Sequence, residues 1–70
     1  MNALETFANQ IETYGYPYHK YTAQDTKCIV KLFLMDSDTI GVIVYNSDMM
    51  VKEAKFIRNY KRNGVANQQG

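Results

Sequence analysis

Four features of this 70-residue chain have residue types that can do chemistry. His19 is its single histidine, in Tyr18-His19-Lys20-Tyr21. General acid or base work needs a partner group that orients the imidazole, and no neighbour in the sequence marks one. A half-exposed strand histidine accounts for it. Asp36-Ser37-Asp38 brings two carboxylates together after an apolar run. Two carboxylates alone are a poor magnesium site, and the same residues suit a polar hairpin turn. Cys28, the single cysteine, alternates with Val30 and Leu32 on an apolar strand face. A thiol buried there is inert. Lys52, Lys55, Arg58 and Arg62 recur at helical spacing and form one stripe that can meet phosphates. Its plainer account is a solvated helix face. No spacing suits zinc, so neither a metal nor a cofactor is expected.

Tyrosine is the more unusual signal. Tyr14, Tyr16, Tyr18 and Tyr21 crowd one short stretch. Tyrosine offers large rigid area with a polar tip, which suits interfaces. A second apolar set alternates along two later segments: Ile29, Phe33 and Met35, then Ile43 and Tyr45, relieved by Lys27 and Lys31. Such a patch is too apolar to be left wet.

The elements that must position these residues follow from hydrophobic periodicity. Ala3, Leu4, Phe7, Ala8, Ile11 and Tyr14 fall on one face of a helix. Asn2 is its N-cap, with Glu5 placed as in a capping box. Gly15 suits a left-handed C′ position. Residues 17–23 read as a first strand, with Pro17 at its start. Thr26 to Met35 is a second strand and Thr39 to Tyr45 a third, joined by short polar turns as an antiparallel meander. Asn46, Ser47 and Asp48 supply a helix start, and the helix runs from Asp48 to Arg62, stopped by Asn63-Gly64. Glu53 falls within its apolar arc, which conflicts with that assignment. The expected fold is therefore α+β in the order α-β-β-β-α: a three-stranded antiparallel meander with two helices packed on one face. Cys28, Val30, Leu32, Leu34, Ile40, Val42 and Val44 should meet the helices, with Leu4, Phe7, Ile11, Ala54 and Ile57 completing the core. Residues 1–64 make the single domain and 65–70 a flexible C-terminal tail.

Composition narrows the class. The formal net charge is +1, but residues 1–50 carry −3 and residues 51–70 carry +4, so the chain is a dipole. One cysteine excludes an internal disulfide framework. No apolar run approaches the roughly 20 residues of a membrane span, and the acidic start is no signal peptide. The expected location is cytoplasmic. Starting at Met and ending at this length, the chain suggests a stand-alone small protein of the kind a phage or mobile element encodes.

Over roughly residues 2–62 the order and length resemble a double-stranded RNA-binding domain. Helix one leads through Gly15 to Pro17-Tyr18, as that family leads to a P-x-Y at its first strand. The apolar second strand ends in an acidic turn. Lys52-Glu53-Ala54-Lys55 is similar to the K-x-A-K end of the family's S-K-K-x-A-K. The Ser and first Lys of that motif fall on Met50 and Val51. The loop that carries G-P-x-H in the family is here Ala23-Gln24-Asp25, and Arg58 and Lys61 stand where the family is usually apolar. The resemblance implies duplex RNA binding through the helix-two stripe, reduced by the missing loop. The strand-borne His19 resembles the histidine of HicA-type ribonuclease toxins, without their G-S-H-H neighbourhood. Asp36-Ser37-Asp38 is similar to the D-x-D of haloacid dehalogenase-type phosphotransferases, with Ile40 where they place Thr or Val.

No reaction class is supported by these residues, so the expectation is a small non-enzymatic protein-binding module: an inhibitor, an adaptor or a self-associating subunit. Its surface should be the uncovered sheet face, Ile29, Lys31, Phe33, Met35, Ile43 and Tyr45, with Tyr16, Tyr18 and Tyr21 beside it. The partner is a protein or a second copy. RNA bound by Lys52, Lys55, Arg58 and Arg62 is the alternative, and a HicA-like ribonuclease the weaker one.

Overall fold

Helix α1 spans Ala3–Tyr14, capped by Asn2, whose Oδ1 accepts the Glu5 N–H at 2.8 Å. A computed structural model describes residues 2–58 of the chain. Ala8 and Ile11 are buried, whereas Tyr14, expected on the apolar face, is 78% exposed. Gly15 ends the helix with φ −87° and ψ 162°, so it is extended rather than left-handed. Its requirement is steric instead. A Cβ there would stand 2.7 Å from the Ile11 carbonyl oxygen, the Met35 sulfur and the Phe33 Cβ.

Among the described residues four strands follow: β1 (Tyr16–Thr22), β2 (Ile29–Leu34), β3 (Thr39–Tyr45) and β4 (Val51–Arg58). They form one antiparallel sheet in the order β1-β2-β3-β4. The fold is therefore α-β-β-β-β, which corrects the expected α-β-β-β-α. The segment read as a second helix is a strand over residues 51–58, and residues 59–62 and the expected tail lie outside the described residues. The resemblance to a double-stranded RNA-binding domain needed that helix.

The physical reason lies in the turn before it. Asn46 Oδ1 accepts the N–H of Asp48 at 2.8 Å and of Met50 at 3.0 Å. The Asn46 N–H donates to the Met50 carbonyl at 2.8 Å, closing a hairpin. Met49 turns the chain with φ 66°. The residues that can cap a helix thus satisfy the backbone of a tight turn instead, a competition that Asn and Asp always offer. Once paired with β3, Val51, Phe56 and Ile57 have the β-branched and aromatic character that strands favour.

Cross-strand partners share a sheet face, so the register fixes both faces. The inner face carries Ile29, Lys31 and Phe33 from β2, Gly41, Ile43 and Tyr45 from β3, and Val51, Ala54 and Phe56 from β4. Helix α1 packs there, with Ala8 and Ile11 against Phe33, Ile43 and Tyr45, and with Phe7, Ile29, Met35, Val51 and Ala54 around them. Phe7 meets Phe56 edge to face at 5.2 Å between ring centroids. This inverts the expected parity: the face expected to stay uncovered is the one the helix covers. Gly41 shows why. A Cβ on it would lie 2.7 Å from Ile11 Cγ2, so the glycine is the seat in which the helix sits.

Candidate functional site

The outer face is built as three cross-strand rows. Tyr16, Leu34, Ile40 and Ile57 form the first. His19, Leu32, Val42 and Lys55 form the second, and Tyr21, Val30, Val44 and Glu53 the third. Helix α1 lies on the other side of the sheet. The rows are graded in accessibility. Ile40 and Val42 are buried, and Val30, Leu32, Leu34 and Val44 are half-buried. The margins are exposed: Tyr16 by 72%, Tyr21 by 48% and Ile57 by 39%.

The β1 margin owes its shape to a bulge between Pro17 and His19, where the register with β2 shifts by one residue. Pro17 has no N–H to give a ladder, so it belongs on an edge strand. The bulge sets His19 and Tyr21 on the outer face, their ring centroids 5.9 Å apart. Beside it, Glu12, Pro17, His19, Lys20, Lys31, Leu32 and Phe33 line a shallow groove of about 490 Å³. Lys20 and Lys31 stand opposite each other on the inner face there. Lys31 is engaged, its Nζ 3.7 Å from Glu12 Oε2 and 5.0 Å above the Tyr45 ring. The β4 margin is charged: Lys55 Nζ lies 3.0 Å from Glu53 Oε2.

Of the residues expected to bind protein, Tyr16 and Tyr21 lie on the outer face and Tyr18 in the bulge. Ile29, Lys31, Phe33, Met35, Ile43 and Tyr45 do not join them. Phe33, Ile43 and Tyr45 are buried beneath α1, with Ile29 and Met35 packed against them. Tyr45 donates its hydroxyl to Glu12 Oε2 at 3.1 Å. Burial first, and then the Glu12 charge, push its pKa up to about 12. The outer-face residues Val30, Leu32, Leu34, Val42 and Val44 had read as core. Gly41 was the signal that could have reversed this, because a glycine within a strand marks a close approach on its own face.

The basic stripe does not exist as one face. Lys55 points outward beside Glu53, while Arg58 pairs with Thr39 on the inner side, 5.9 Å from the Phe56 ring. Lys52 is the extra residue of the β3–β4 register shift, and Arg62 lies outside the described residues. Asp36-Ser37-Asp38 is the β2–β3 turn. The Asp38 N–H donates to Asp36 Oδ1 at 3.1 Å, and this bond, with help from Thr39, holds the Asp36 carboxyl below the usual range. Cys28 is buried at the end of the β1–β2 loop, where its carbonyl accepts the Ala23 N–H at 2.8 Å.

Among the described residues, no group of three His, Cys, Asp or Glu side chains is placed to hold a metal ion, and no helix is long and apolar enough to cross a membrane. What the outer face can supply is apolar contact area from half-buried Val30, Leu32, Leu34 and Val44, tyrosine hydroxyls at one margin and paired charges at the other. No protein-family model matches the sequence, and neither a curated protein nor a solved structure is significantly similar to it.

Proposed function

We propose that the protein is a small non-enzymatic binding module whose outer sheet face receives a partner protein. The observation that supports this reading is the half-buried apolar run of Val30, Leu32 and Leu34 along β2, on the face opposite α1 and bordered by exposed Tyr16 and Tyr21. Tyrosine beside accessible apolar area suits an interface, where it is enriched. The β1 margin adds His19 on that face. The complementary surface is therefore apolar over β2 and bears hydrogen-bonding groups where it meets the tyrosines and His19 of β1.

The experiment is capture of a partner by the tagged protein, followed by the same capture with Leu32→Asp, with Tyr16→Ala/Tyr21→Ala, and with Tyr14→Ala as the off-face control. Loss with the first two and retention with the third is the expected result, each variant being folded by circular dichroism. Capture that survives both outer-face variants overturns the reading.

A further inference from the structure

Among the described residues the edge strands of the sheet are β1 and β4, and they are built differently. At β1, Pro17 and the bulge behind it oppose pairing with another strand. At β4, eight residues run without proline, and the register shift falls at its start, between Val51 and Glu53. The main-chain groups of an edge strand that do not bond its neighbour point away from the sheet, as a template for another strand. Phe56 and Ile57 are each 39% exposed there.

We propose that β4 pairs antiparallel with β4 of a second copy, about a twofold axis at Ala54, joining two four-stranded sheets into one. Charge complementarity selects the occupant and the register. A twofold perpendicular to the sheet keeps directly opposed residues on one face. Centred on Ala54, it sets Glu53 against Lys55 of the second copy, and Lys55 against Glu53. Both side chains already lie together on the outer face, 3.0 Å apart within one chain. Pairing therefore closes a ring of four alternating charges. Moving the centre one residue either way opposes Glu53 to Glu53 or Lys55 to Lys55, and like charges directly opposite disfavour a strand pair. The axis also leaves both outer faces on the same side, so the dimer doubles the surface proposed above. The pairing does not depend on that surface, because it uses the main chain and two marginal side chains.

Sedimentation velocity over a concentration series tests the proposal. The full chain, 8.1 kDa as a monomer, should move toward twice that mass. Glu53→Lys and Lys55→Glu should each weaken association by about tenfold or more, because each places like charges in opposition. The double variant Glu53→Lys/Lys55→Glu restores opposite charges in the same register and should recover the dimer. Leu32→Asp should leave the dimer intact, which separates this proposal from the outer-face reading. A parent that stays monomeric at millimolar concentration overturns it. So do single charge variants that associate like the parent, or a double variant that does not recover. Should a single variant fail to fold, the double variant carries the decision alone.

Discussion

The two faces of the sheet are almost equally apolar, yet only one receives helix α1. The inner face is uneven: Phe33, Ile43 and Tyr45 rise around the hollow left by Gly41, and Ile11 drops into that hollow. It also offers the helix polar anchors, since Glu12 reaches both Tyr45 and Lys31. The outer face is a regular field of Val, Leu and Ile with no such hollow. Hydrophobicity alone therefore does not choose between faces. Shape and a single polar network do, because interiors are packed to crystal density and a helix needs a seat.

The largest expected effect tests that difference directly. Phe33→Asp buries a carboxylate under α1, at a cost of several kcal/mol, against roughly 3–5 kcal/mol of total stability for a domain this small. The chain should be unfolded by circular dichroism at 25 °C. Leu32→Asp, one residue along the same strand, should remain folded, because Leu32 lies half-buried on the other face. The milder pair sharpens the contrast: Phe33→Ala should cost about 3–5 kcal/mol in urea unfolding, and Leu32→Ala less than about 2. Equal costs would break the distinction between faces.

Gly41→Val comes next, and here the sign decides. Strand propensity alone favours valine over glycine. The hollow predicts the opposite, because a Cβ would sit 2.7 Å from Ile11 Cγ2 and 3.0 Å from the Met35 sulfur. Overpacking of this kind costs about 1–3 kcal/mol. A variant that melts above the parent would show that the helix does not rely on Gly41.

These particulars mark how much was legible in the sequence. Helix α1, the Asn2 cap and the bounds of β3 follow from periodicity and local chemistry, and they stand. The face to be covered was not legible from alternation, because Ile29-Val30, Leu32-Phe33 and Val42-Ile43 are apolar on both sides. The fourth strand was misread because Val51–Arg58 has apolar residues at both helical and strand spacing, and Asn46-Ser47-Asp48 serves either a cap or a turn. Glu53 was the clue. Misplaced on a helix, it falls beside Lys55 on the outer face of a strand. Tyr16 and Tyr21 were legible as surface residues because tyrosines beside a proline suit an edge strand, whereas Phe33 and Tyr45 were assigned to the wrong face along with their whole strands.

The polar anchor of the inner face gives a smaller, pH-dependent effect. Tyr45 holds its proton more tightly in the folded chain, with a pKa of about 12 against an ordinary value of 10. A raised pKa in the fold means that the stabilisation is whole below pH 10 and is lost as pH rises toward 12. Tyr45→Phe should cost about 1 kcal/mol at neutral pH, for one hydrogen bond. It should also flatten the decline in melting temperature between pH 10 and 12 relative to the parent. An unchanged decline would mean that other groups carry the alkaline transition.

The smallest expected effect on stability lies at the outer margin, and it is informative because it is small. Tyr21 pairs with Val30 and stands 48% exposed, its ring touching His19 and no part of the inner core. Tyr21→Ala should therefore change stability by no more than about 0.5 kcal/mol, the range of surface substitutions. A tyrosine kept for packing would cost far more when truncated. A tyrosine whose removal leaves the melting temperature in place but abolishes partner capture is there for recognition, since an aromatic hot spot costs about 2 kcal/mol or more of binding when truncated. The two readouts must part for Tyr21 and run together for Phe33. If they run together at both positions, the outer face is a second structural surface and no docking site.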